Sequence, residues 1–175
     1  MRVALFLTVL AGCSGTQGPT ADEPGHRDGK LPTMFTAEQI RAGCPQGRVI
    51  ELRIEADGKP TTIEHWEFTV VTPEAATIHS VTTDEAGTVL EDATGTSKWT
   101  ELQEHARFPA NATTITENVS VTVPAGTFTT RLYTGLTEDT LSRFWFAADL
   151  PGPPVQFSVE KDGKVLRNAQ MLRAR

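Results

Sequence analysis

From Arg48 onward the chain alternates. Ile50, Leu52 and Ile54 are separated by Glu51 and Arg53, and beyond Asp57-Gly58 the residues Trp66, Phe68 and Val70 alternate with His65, Glu67 and Thr69. Strand side chains point to opposite faces at period two, so both runs read as half-buried strands joined in a hairpin. The same pattern constrains the register. A two-residue Asp57-Gly58 loop would set Ile50 opposite His65 and turn Trp66 and Phe68 away from the Ile50/Leu52 face. One more residue in the connection sets Ile50 opposite Trp66 and Leu52 opposite Glu64, which unites the apolar sets. Because a slip of one residue inverts every side chain, the pattern predicts a three-residue loop or a bulge near Lys59-Pro60.

Period two recurs at Val119, Val121 and Val123, at Phe128, Thr130 and Leu132, and at Val155, Phe157 and Val159. Asp162-Gly163 reads as a hairpin turn into residues 164–172, and turn chemistry stands at Thr72-Pro73, Glu85-Ala86-Gly87 and Pro124-Ala125-Gly126. Many strands with short turns, and no strand–helix alternation, predict an antiparallel sheet of about eight or nine strands. Two short helices interrupt it. Thr36 with Gln39 forms a capping box, Phe35 and Ile40 flank it as a hydrophobic staple, and Gly43 and Pro45 stop a helix over residues 37–42. Trp99, Leu102 and Ala106 fall at helical spacing after Ser97, a candidate N-cap, which predicts a second helix over 98–107. The expected fold is mainly β: an antiparallel barrel or strongly curved sheet with one or two short helices, in a single domain over residues 34–175.

The first residues have a different character. Arg2 is followed by an apolar run, Val3 to Leu10, broken only by Thr8, and then by Ala11-Gly12-Cys13. A charged start, an apolar stretch of about 7–15 residues and small residues at a cleavage point describe a secretory signal. The segment Leu10-Ala11-Gly12-Cys13 resembles the lipobox of bacterial lipoproteins. That resemblance implies cleavage after residue 12 and acylation of Cys13 on its sulfur and new amine, with the membrane as a partner through that lipid. Ser14 in place of an aspartate is similar to lipoproteins sent to the outer membrane of two-membrane hosts. Two or three acyl chains, at about 0.8 kcal/mol per buried CH₂, anchor a protein firmly. Residues 13–33, rich in Gly, Pro, Ser and Thr, read as a flexible tether; roughly 20 residues of such chain span on the order of 25 Å. His26 lies within it.

Composition narrows the function without naming one. The 175 residues carry 16 Lys and Arg against 22 Asp and Glu, a net charge of −6, which argues against nucleic-acid binding because phosphate affinity comes from clustered cations. With Cys13 acylated, Cys44 has no partner for an intrachain disulfide; a redox thiol and a small buried hydrophobe are its two readings. No G-x-S-x-G elbow and no glycine-rich phosphate loop occurs, and no cofactor is expected.

Two constellations remain. His65 and Glu67 share a strand face and, with His79, could supply metal ligands or an acid–base pair for a hydrolase, although helical H-E-x-x-H and paired-cysteine spacings are absent. Phe144, Trp145 and Phe146 put bulk on both faces of one strand ahead of Pro151-Gly152-Pro153-Pro154. That strand is either buried on both sides or lines an apolar pocket for a hydrophobic ligand. The stretch from Val121 to Phe128 resembles a V-x-V-P-A-G-x-F segment of uncharacterised antiparallel-β envelope proteins. The layout of lipid anchor, curved sheet and helix is similar to lipoprotein-carrier half-barrels, in architecture alone. The expected function is a lipid-anchored cell-envelope protein, a non-enzymatic binding module for a hydrophobic ligand or protein partner through Phe144, Trp145 and Phe146. The alternatives are a structural component of an envelope assembly, pairing through a Thr-rich sheet edge, and a metal-assisted hydrolase using His65 and Glu67.

Overall fold

The alternating runs become strands of one antiparallel sheet. A computed structural model describes residues 29–175; the signal segment, Cys13 and His26 lie outside the described residues. Nine strands follow in chain order: β1 (Val49–Ala56), β2 (Thr62–Val71), β3 (Ala75–Asp84), β4 (Val89–Lys98), β5 (Thr113–Val123), β6 (Gly126–Thr137), β7 (Thr140–Ala147), β8 (Gln156–Lys161) and β9 (Lys164–Ala174). Their spatial order is β4-β3-β2-β1-β9-β8-β7-β6-β5. Two meanders, β1 to β4 and β5 to β9, are thus sewn together along β1 and β9. The sheet curves without closing. β4 and β5 are its edges, yet the β5–β6 turn still reaches β9, where the Ala125 N–H donates to the Met171 carbonyl at 3.0 Å.

The β1–β2 register is the one that unites the apolar sets: Ile50 opposite Trp66, Leu52 opposite Glu64, and Ile54 opposite Thr62. Residues 57–61 make the connection, with Gly58 at φ 66° and the Lys59 N–H donating to the Ala56 carbonyl at 3.0 Å. At the β8–β9 hairpin Lys161 faces Lys164, and Asp162 and Gly163 both take positive φ, 52° and 74°. That left-handed pair is the geometry two-residue hairpins favour, and it explains the Asp-Gly there.

Helix α1 (Ala37–Gly43) forms as the sequence predicts, one residue longer. Gln39 Oε1 accepts from the Thr36 N–H at 2.9 Å while Thr36 Oγ1 accepts from the Gln39 N–H at 3.3 Å. Helix α2 (Trp99–Glu104) is shorter than the expected 98–107. Ser97 is not its cap, because it remains on β4 opposite Ala76; strand pairing persists to Lys98, and the Trp99 indole donates to the Thr72 carbonyl at 2.9 Å. The Lys98 N–H is instead capped by Glu101 Oε2 at 3.0 Å. The end tightens because Ala106 and Arg107 donate three residues back, to Gln103 and Glu104.

Both helices lie against one face, here called the inner face. Ile50, Leu52, Ile54, Trp66 and Phe68 point to it from the first meander; Tyr133, Phe144, Phe146 and Phe157 do so from the second. Trp99 stacks on Phe68 with centroids 6.4 Å apart. Beyond α2 the chain crosses to the far edge, and Phe108 settles 5.0 Å from Tyr133 and 4.9 Å from Phe144. Residues 30–33, which composition assigns to the tether, pack on the domain. Leu31 is buried, its N–H bonds to the Phe108 carbonyl at 2.8 Å, and the Tyr133 hydroxyl donates to the Pro32 carbonyl at 3.3 Å. One well-placed leucine fixes a segment whose average composition reads as unstructured.

Candidate functional site

The helices and the crossing segment cover the inner face around Phe68 and Phe146 but stop short of the hairpin ends. At the uncovered end an open groove of about 650 Å³ runs between β1, β2, β4 and β9. Ile54, Ala56, Pro60, Leu90 and Leu166 supply its apolar lining, and Asp57, Lys59 and Thr62 stand among them. Its size falls within the range of pockets that take small ligands.

Glu64 and Arg167 bring charge into that lining. Glu64 has the parity of Trp66 and Phe68, so its carboxylate faces inward beside Leu52. Arg167 reaches the same face from β9, opposite Ala56, and its Nη2 lies 3.5 Å from Glu64 Oε1. The guanidinium sits over the Phe157 ring, 5.2 Å from its centroid, a weakly hydrated cation on an aromatic face. Its buried Nε has no hydrogen-bond partner among the described residues. Burial pushes the Glu64 carboxyl above its ordinary range, with Arg167 pulling it back and Glu91 adding to the rise.

Of the aromatic triplet, Phe144 and Phe146 are buried on the inner face. Phe144 packs on Phe108 and Phe157, and Phe146 on Phe35, Phe108 and Tyr133. Trp145 points to the opposite face, half-buried, opposite Leu132 and Gln156.

The histidines of the other constellation go to separate partners. His65 Nδ1 lies 3.0 Å from Glu51 Oε1, and Arg173 binds the same oxygen. Burial would raise the Glu51 carboxyl, but the hydrogen bonds from Arg173 and His65 outweigh it and hold the group low. His79 stands opposite Glu67 in the ladder, yet its Nε2 meets Asp92 Oδ1 at 2.9 Å. Among the described residues no group of three or more His, Cys, Asp or Glu side chains is placed to hold a metal ion. Cys44, 1% exposed, packs in the core under the Pro151 loop; burial pushes its thiol up to about 11 against the pull of Arg48, which leaves it a buried hydrophobe in practice.

The β1–β2 hairpin supplies most of the groove's lining, but Leu90, Leu166 and Arg167 complete it from strands far off in the sequence, so no local pattern shows the groove. One signal was present: Glu64 is a carboxylate on the apolar face of an otherwise amphipathic strand.

No protein-family model and no curated protein matches the chain. Among solved structures, a Bacteroides fragilis protein described as exported and of YmcC-like fold superposes with a TM-score of 0.51 at 11% identity, over 75% of this chain and 96% of that one. At that identity the likeness is one of fold: this chain shares the curved antiparallel architecture of that protein.

Proposed function

We propose that this protein is a lipid-anchored component of the bacterial cell envelope whose domain binds an amphiphile, an apolar chain ending in an anionic group, in the groove at the open end of the inner face. The groove itself carries the reading. Its apolar lining rewards burial of a hydrocarbon by about 25 cal/mol per Å². A carboxylate or phosphate at the end of that chain would meet the Arg167 guanidinium, which lines the groove with its side chain 36% exposed, and draw on the strongest class of hydrogen bond. The exported description of the similarly folded protein is in keeping with an extracytoplasmic setting.

Laurate titrated into protein bearing Cys13→Ser, followed by amide chemical shifts, tests the site. Saturable shifts are expected at Ile54, Glu64, Leu90 and Leu166. Arg167→Leu should weaken laurate about tenfold or more while leaving neutral dodecanol little changed. Shifts centred on Phe144, Trp145 and Phe146 would move the site to the aromatic strand, and no saturable shift anywhere would remove the ligand-binding reading.

The anchor is tested separately. Cells fed labelled palmitate should yield labelled protein, and Cys13→Ser should abolish the label and shift the protein out of the membrane fraction. In a two-membrane host, density fractionation should place it in the outer membrane, in line with Ser14.

A further inference from the structure

Every residue of β3 from Ala76 to Thr83 is paired on both sides, but β4 is paired with β3 alone. One row of β4 backbone N–H and C=O groups therefore faces outward, with no strand beside it among the described residues. The two sheet edges differ. At β5 the register shifts between Thr116 and Val119 and Asn118 takes φ 57°; such a bulge bends a strand and spoils it as a pairing template. At β4 the register with β3 is regular from Glu91 to Lys98, the one shift lying beyond, at Thr82/Thr83.

We propose that two copies of this chain pair edge to edge through β4, antiparallel about a two-fold axis, to make one continuous sheet. Opposed residues in such a pair must point to the same face, so the axis can only pass beside a residue, never between two. Each choice fixes a register. Centred on Thr94, the pairing sets Lys98 opposite Leu90 and Asp92 opposite Thr96. Centred on Thr96, it sets Lys98 opposite Thr94 and leaves Asp92 beyond the strand. Centred on Gly95, it sets Asp92 opposite Lys98 of the second copy, and by symmetry does so twice. Thr94 then faces Thr96, and Ala93 faces Ser97.

Opposite charges and Thr–Thr pairs directly across a ladder are favourable. Glycine at the centre removes the side chain where the two backbones come closest. Asp92 is free to take part: its side chain is 62% exposed, and His79 engages only one of its oxygens. The Gly95 register alone brings acid and base together, and that complementarity selects a second copy over an unrelated strand.

Sedimentation of the full chain in detergent should show a dimer. Lys98→Asp, which sets two acids opposite one another at both ends of the seam, should weaken it about tenfold or more, and Asp92→Lys should do the same. The double exchange Asp92→Lys/Lys98→Asp should restore the wild-type dimer, a rescue that damage to the fold would not allow. A monomer at every accessible concentration, a dimer indifferent to either reversal, or a double exchange that fails to recover it would each overturn the proposal.

Discussion

Glu64 ionises against its surroundings. Its carboxyl stands above the ordinary value of 4.5 because burial outweighs Arg167. The native state therefore binds that proton more tightly than the unfolded chain, and stability falls as pH rises from 4.5 through the raised value. Glu64→Gln, which keeps the shape and abolishes the charge, should raise the urea midpoint at neutral pH and lose that advantage below the ordinary carboxylate range. An equal or lower midpoint at neutral pH would mean that the pairing with Arg167 outweighs the burial. Cys44 is the opposite kind of residue, inert by design of its site: with its thiol pushed to about 11 and 1% exposed, it should resist disulfide reagents in Cys13→Ser protein at mildly alkaline pH and react only as fast as the chain unfolds. Prompt labelling of the folded protein would contradict that. At this scale the sequence was informative where parity applied. The β1–β2 alternation puts Glu64 on the apolar face, whereas Arg167, which shares its face with Ala169 and Met171, meets Glu64 only because the β1–β9 ladder sets it opposite Ala56, a pairing of the chain's first and last strands that no local pattern shows.

Secondary elements were readable wherever the local chemistry was self-contained. The capping box of α1 lies within four residues, and the Asp162-Gly163 turn within two, so neither needs the rest of the molecule. The start of α2 does need it: Ser97 has a good N-cap side chain, but a ladder partner at Ala76 offers its backbone a better alternative. Close approach between elements is the other non-local feature. A Cβ built on Gly43 would stand 2.7 Å from Pro151 Cβ and 2.8 Å from its carbonyl oxygen, so this helix end docks on the proline loop only because no side chain intervenes. Gly43→Ala should cost about 1–3 kcal/mol, the range for forcing carbon into a filled space, read as a lower denaturant midpoint with an unchanged slope. In an isolated helix the same substitution would stabilise, so the sign of the effect separates docking from propensity. Gly43 looked like a simple stop signal in the sequence because the residues it meets are more than a hundred positions away.

The whole molecule depends on a seam that leaves no local trace. β1 and β9, the first and last strands, are neighbours, closed at one end by reciprocal bonds between Val49 and Arg175 at 2.8 and 3.0 Å. Each meander alone would expose one long edge there and half of the inner face. Two further straps bind the halves: the segment after α2, which carries Phe108 to Tyr133 and Phe144, and residues 30–33, held to Phe108 and Tyr133. With the core shared in this way, the two meanders should unfold as one unit despite their separate topologies. Native-state hydrogen exchange is the direct measure, because it resolves cooperative units by their opening free energies. Amides of β1 and β9 should form the most protected set and share one free energy equal to that of global unfolding, while the outward-facing amides of edge strand β5 exchange through smaller openings. The amides of β2 and β8 flank the seam on either side and should report the same free energy as each other. If the β2 set opened distinctly more easily than the β8 set, the first meander would be a separate unit docked on the second, and the groove, whose walls come from both, would open and close with that docking.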